Sequence, residues 1–236
     1  KPKILETNNP IKLESFKLKS LSKIQKSAAN FLANKIDDKK HSVILLDGVT
    51  GSGKTEVYFS AIAKILNQTD EQVLILLPEI VLTTQLIERF TNQFGFSPSL
   101  WHSKISNSKK RNIFNGIANG SIRVLIGARS ALFLPFSKLA LIVVDEEHEA
   151  SFKQEDVVNY NGRDMAVLRA KIESIPIILS SATPSLESLV NARNNKYHHL
   201  ILEKKFSHDK ITTIDLVDMR KENLTKDHYL SSTLKA

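Results

Sequence analysis

VILLDGVTGSGKTEVYFSAIAKIL, residues 43–66, carries three patterns in succession. Val43 to Leu46 is an uninterrupted apolar run, as a strand buried on both faces requires. Gly48-Val49-Thr50-Gly51-Ser52-Gly53-Lys54-Thr55 then fits G-x-x-x-x-G-K-[ST] without a mismatch. From Val57 the apolar residues return at helical spacing, at Ala61, Ile62, Ile65 and Leu66. Glycines let successive backbone N–H groups turn toward phosphate oxygens, and the start of a helix adds orphan donors and a positive dipole end. The segment therefore predicts a strand, a phosphate-binding loop and a helix, with Lys54 reaching the β- and γ-phosphates and the Thr55 hydroxyl holding Mg²⁺.

The same alternation continues on either side. A helix is expected over 22–36, with Ile24, Ala28, Phe31, Leu32 and Ile36 on its buried face. Strands are expected at Val73–Leu77, Val124–Ile126, Leu141–Val144 and Ile177–Leu179, with weaker candidates at Ser99–His102 and 196–202. Helical patterns lie between them at 80–94, 108–118, 162–173 and 185–194. Apolar strands alternating with helices predict an α/β fold, a mostly parallel sheet covered on both faces. Residues 1–20 read as a linker from a preceding module, 21–205 as one domain, and 206–236, with a short strand at Thr213–Val217, as a linker into a further region. The chain opens without Met and reads as a piece of something longer.

In such a sheet ligands bind beyond the carboxyl ends of the strands. Every polar cluster falls there: Pro78-Glu79 with Thr83, Thr84 and Gln85; Gly127-Ala128-Arg129-Ser130; Asp145-Glu146-Glu147-His148; and Ser180-Ser181-Ala182-Thr183-Pro184. Behind a buried strand, Asp145 is expected to bind Mg²⁺ and Glu146 to polarise an attacking water. His148 would report the γ-phosphate to a neighbour. Thr183-Pro184 fits an N-cap and first helical position. The loop 149–164 carries Phe152, Lys153, Tyr160 and Arg163; its aromatics either stack on bases or cover the core. Lys109-Lys110-Arg111 reads as a solvated helix face, and Trp101 as core.

Composition sets the bounds. The 236 residues are 42% hydrophobic and carry a net charge of +8, with ten lysines against four acids in the first 40 residues. That excess fits an anionic partner such as nucleic acid. No apolar run approaches a membrane span and no signal-peptide pattern opens the chain, so a cytoplasmic location and no membrane partner are expected. The absence of cysteine excludes disulfides and thiolate metal sites.

Phosphate loop, Asp-Glu-x-His and Ser-Ala-Thr together resemble the first motor lobe of superfamily 2 helicases. The strings GVTGSGKTEVYF (48–59), LPEIVLTTQ (77–85), GARSALFLPF (127–136), DEEHEASFKQED (145–156), YNGRDMAVLRA (160–170) and SATPSLES (181–188) resemble the bacterial replication-restart helicases. The resemblance covers roughly 20–205. It implies a RecA-like lobe, ATP-driven 3′→5′ unwinding of forked DNA, a nucleoid-associated protein, and partnership with single-stranded DNA, primosome proteins, single-stranded-DNA-binding protein and the loader of the replicative helicase. It also implies that Gln25, in Leu21-Ser22-Lys23-Ile24-Gln25, reads adenine. Thr83, Gln85 and Arg129 would lie near DNA backbone, and Thr183 would couple hydrolysis to lobe movement. Segment 149–164, with Phe152, Tyr160 and Arg163, would be an aromatic-rich loop sensing single-stranded DNA. Thr84 stands where the family pattern leads us to expect proline, and no ligands of the family's zinc-binding insertion are present. A P-loop ATPase of another kind is the second reading, although neither a kinase lid nor a transporter signature is found. An ATP-gated interaction module without unwinding activity is the third.

Overall fold

The computed structural model describes residues 16–78, 84–155, 158–203 and 216–218. The expected beginning of the third helix, with Thr83, lies outside them, as does most of the strand expected at Thr213–Val217. In chain order the elements are α1 (Lys23–Asp37), β1 (Ser42–Gly48), α2 (Lys54–Gln68), β2 (Gln72–Leu76), α3 (Thr84–Phe94), β3 (Ser99–Trp101), α4 (Asn107–Ala118), β4 (Val124–Gly127), β5 (Leu139–Asp145), β6 (Lys153–Gln154), β7 (Tyr160–Asn161), α5 (Gly162–Ile172), β8 (Pro176–Ser181), α6 (Leu186–Arg193) and β9 (His198–Leu202). They belong to one compact unit, Lys1–Phe206; Ser207–Ala236 forms a second, of which only 216–218 is described.

Seven strands make one sheet in the order β3-β4-β2-β5-β8-β1-β9, and every pairing in it is parallel. The period-2 alternation of side chains divides each apolar strand between two cores. Ile44, Leu46, Val73, Ile75, Leu141, Val143 and Ile178 pack with α1, α2 and α3, whose Phe59, Phe90 and Phe94 rings fill that layer. Val43, Leu45, Leu74, Leu76, Ile142, Val144, Ile177 and Leu179 pack on the opposite face with α4 and α5. The alternating strand–helix reading of the sequence holds throughout this unit.

Register then places the chemistry. Strand β8 lies between β1 and β5, with Asp47 opposite Ser181 and Asp145 opposite Ser180. The segments that follow β1, β5 and β8 therefore leave the sheet side by side at its carboxyl edge.

Two local details differ from expectation. The N-cap of α6 is Ser185, whose hydroxyl accepts from the Ser188 N–H, so Thr183-Pro184 belongs to the preceding loop. Thr183 instead donates its own N–H to Ser181 Oγ at 3.0 Å, which holds the loop away from helical geometry. Between β5 and α5 the chain forms a short 3-10 turn, Ala150–Phe152, and then the two-stranded antiparallel hairpin β6–β7.

Candidate nucleotide site

The loop from Gly48 to Thr55 begins on a buried strand end and closes onto the first turn of α2. Gly53 is the N-cap of α2 in the left-handed region, with φ of 86°. A side chain there would meet Gln25 Nε2 at 2.2 Å. Val49, Thr50 and Gly51 are exposed, Ser52 is buried and Thr55 is half-buried. Lys54 Nζ donates to the Gly48 carbonyl at 2.5 Å. Burial pushes the Lys54 ammonium below its ordinary pKa, while Glu146, Asp145 and Asp47 pull it back up. The lysine of the loop and the acid pair, some ninety residues apart in sequence, thus share one electrostatic site.

Asp145 closes β5. Its Oδ2 accepts from the Tyr58 hydroxyl at 2.9 Å and its Oδ1 from the Ser180 hydroxyl at 2.8 Å. Glu146 follows with φ of 51°, an uncommon backbone state for a residue with a Cβ. Such a state persists when surrounding contacts impose it, and it clusters at functional positions. Burial, then the charge of Asp145, pushes the Glu146 carboxyl above the ordinary glutamate value; Lys54 and His148 oppose them. His148 Nδ1 shares a 2.7 Å hydrogen bond with Ser181 Oγ and lies 3.6 Å from Glu146 Oε2. The acid box and the Ser-Ala-Thr segment are therefore physically joined.

Gln25 sits 3% exposed beneath the loop. Its Oε1 accepts the Ser22 N–H at 2.8 Å, completing a capping box, and its Nε2 donates to the Ser52 carbonyl at 2.8 Å. In this structure Gln25 braces the phosphate loop, a task that the expected contact with adenine does not describe.

The expected DNA-facing set divides. Gln85 and Thr183 are exposed and Tyr160 is half-buried, its ring edge-on to the exposed Phe133 ring at 5.5 Å. Arg129 donates to the carbonyls of Ser151 and Lys153 at 3.0 and 2.7 Å, tying the turn after β4 to the loop after β5. Phe152 is 1% exposed and belongs to the second core, so it covers the core and does not stack on bases. Arg163 is 7% exposed and also leaves the DNA-contact set. Its Nη1 donates to Glu147 Oε2 at 3.2 Å and to Ser185 Oγ at 2.6 Å, and its Nε to Asp164 at 2.8 Å.

Glu147, to which the acidic cluster of the sequence gives no separate role, is the centre of these contacts. Its buried carboxylate also accepts from Ser185 N–H at 2.7 Å, Ser185 Oγ at 3.0 Å and Ser188 Oγ at 3.0 Å. A buried charge is tolerable when its lone pairs are filled in this way. Trp101 packs against the second core as expected, with its indole N–H donating to Ser130 Oγ at 3.1 Å.

Comparison with known proteins follows the same outline. The family model described as DEAD/DEAH box helicase matches residues 22–192. A protein of Rickettsia felis named Replication restart protein PriA is 45% identical over 220 residues, covering 93% of this chain and 33% of its own length. The protein of that name from Bacillus subtilis is 41% identical over 198 residues, covering 84% and 24%. The chain thus spans about a third or less of these curated relatives. Among solved structures, the helicase MrfA bound to DNA and AMPPNP superposes with a TM-score of 0.56 at 18% identity, covering 80% of this chain and 28% of that one. The Hef helicase domain of Pyrococcus furiosus gives 0.51 at 21% identity, covering 74% and 37%. At these identities the structural likeness speaks for the RecA-like fold.

Proposed function

The chain belongs to the DEAD/DEAH box helicase family, and from that premise we propose that it is the ATP-binding lobe of a 3′→5′ DNA helicase that restarts replication at abandoned forks. The observation that carries this reading is the register of β1, β8 and β5, by which the phosphate loop after β1 and the acid pair ending β5 leave one sheet edge on either side of β8. Backbone N–H groups of the loop and the start of α2 receive the phosphates, and Lys54 pairs with the β/γ oxygens. Glu146 orients the attacking water and accepts its proton; its raised pKa brings it nearer to that task at neutral pH.

Mg²⁺ fits the side chains present. Thr55 and Asp145 offer hard oxygen donors, and among the described residues no group of three or more His, Cys, Asp or Glu forms a protein cage. Magnesium is commonly held by one or two side-chain oxygens together with phosphates and waters. Bound there, it would neutralise charge between the β- and γ-phosphates.

Gln85 and Thr183, both exposed, are the residues we assign to DNA backbone contact and to coupling. Forked DNA, single-stranded DNA, primosome proteins, single-stranded-DNA-binding protein and a helicase loader are the partners that follow from this reading. A cytoplasmic, nucleoid-associated location follows too. None of the described helices is long and apolar enough to cross a membrane.

The test uses the full-length protein: ATP hydrolysis and strand separation, with and without forked DNA, for the wild type and Lys54→Ala. A helicase shows DNA-stimulated hydrolysis and unwinding, both lost in the variant. Hydrolysis indifferent to DNA would point to another P-loop ATPase, and an unaltered Lys54→Ala phenotype to a passive module.

A further inference from the structure

Tyr58 lies on α2 one turn beyond Thr55, and its side chain is fully buried. A core position with no further task takes phenylalanine, because a buried hydroxyl is costly unless it is hydrogen-bonded. The Tyr58 hydroxyl has a specific partner: it donates to Asp145 Oδ2 at 2.9 Å. Burial, reinforced by the Asp145 charge, holds the phenol protonated and therefore a donor.

The consequence for Asp145 is geometric. A carboxylate turns readily about its last torsion, which has broad, roughly two-fold preferences. Here one oxygen is held from α2 by Tyr58 and the other from β8 by Ser180 Oγ at 2.8 Å, with the Glu146 N–H at 3.2 Å on that second oxygen. Oδ2, which accepts only the Tyr58 hydroxyl, keeps lone-pair capacity for a metal-bound water. Tyr58 also stands one turn along α2 from Thr55 while its hydroxyl reaches Asp145, so one helix carries both a group assigned to Mg²⁺ and the donor that holds the other.

We propose that Tyr58 is a positioning residue of the metal site, fixing the Asp145 carboxylate relative to the Thr55 hydroxyl so that a magnesium–nucleotide complex is favoured over nucleotide alone. The proposal rests on the ATP·Mg²⁺ reading of the site. Its test is equilibrium binding of a fluorescent ATP analogue to this 236-residue chain, in EDTA and across a Mg²⁺ titration, with a thermal melt for each protein. Tyr58→Phe removes the hydroxyl and keeps the ring. The expected result is a cooperative melt, an affinity in EDTA within about twofold of wild type, and a Mg²⁺ midpoint raised about tenfold, the effect of losing one hydrogen bond to a charged group. A wild-type chain whose nucleotide affinity ignores Mg²⁺ overturns the ATP·Mg²⁺ reading itself. If the wild type responds to Mg²⁺ and the variant has the same midpoint, Tyr58 does not position the site. Equal weakening with and without Mg²⁺, or loss of the cooperative melt, makes Tyr58 a packing residue only and overturns the proposal.

Discussion

At the scale of single residues, Gly51 and Gly53 separate two costs that loop glycines usually combine. Both have positive φ, 80° and 86°. A Cβ at Gly51 meets nothing within 4 Å, whereas one at Gly53 meets Gln25 Nε2 at 2.2 Å. Gly51→Ala should cost only the left-handed backbone, about 1–2 kcal/mol. Gly53→Ala should cost that and the Gln25–Ser52 hydrogen bond as well, about 1 kcal/mol more. Chemical denaturation measures both, and placing each in a Gln25→Ala background should bring the two costs together. Equal costs with Gln25 present would contradict the bracing role. The glycine spacing itself is legible in the sequence, since it follows from the loop's own backbone. The brace is not, because its two ends lie 27 residues apart and nothing local marks Gln25 as facing the loop.

At the scale of elements, two ion pairs tie helices to the site. Glu147 and Arg163 join the acid box to α5 and, through Ser185, to α6. Arg163→Met alone strands a buried carboxylate and should cost about 3–5 kcal/mol; Arg163→Met with Glu147→Leu should cost less than the sum of the two singles. Additive losses would show that the pair is not coupled. On the other face, Arg89 of α3 holds Glu56 of α2 at 2.6 Å. Burial alone would raise the Glu56 pKa, but the Arg89 hydrogen bond and charge bring it below the ordinary 4.5. A depressed carboxyl stabilises the fold fully above its unfolded value and loses that contribution as pH falls through the folded value. The melting temperature should therefore fall below pH 4.5, and less steeply in Glu56→Gln; an identical slope would remove the pair from the account. Strands and helices are readable from periodicity, whereas the inward turn of Arg163 and the burial of Phe152 are not. Cation and aromatic in a polar loop look alike whether they turn outward or inward, and only the packed fold brings Glu147 opposite Arg163.

At the scale of the molecule, the chain spans about a third of the length of its Rickettsia felis relative. On the proposed reading, these 236 residues alone should bind ATP·Mg²⁺, hydrolyse it feebly and not separate strands, because the arginine that would stabilise transition-state charge is proposed to come from a second lobe. Robust unwinding by the 236-residue chain would refute that division of labour. Loop, acid pair and Ser-Ala-Thr segment leave adjacent strands at one edge. The most direct test of the central claim is ATP binding and phosphate release measured side by side in the full-length protein carrying Glu146→Gln. The account predicts that nucleotide is still bound while DNA-stimulated phosphate release slows by about a hundredfold or more. Release at the wild-type rate would contradict it.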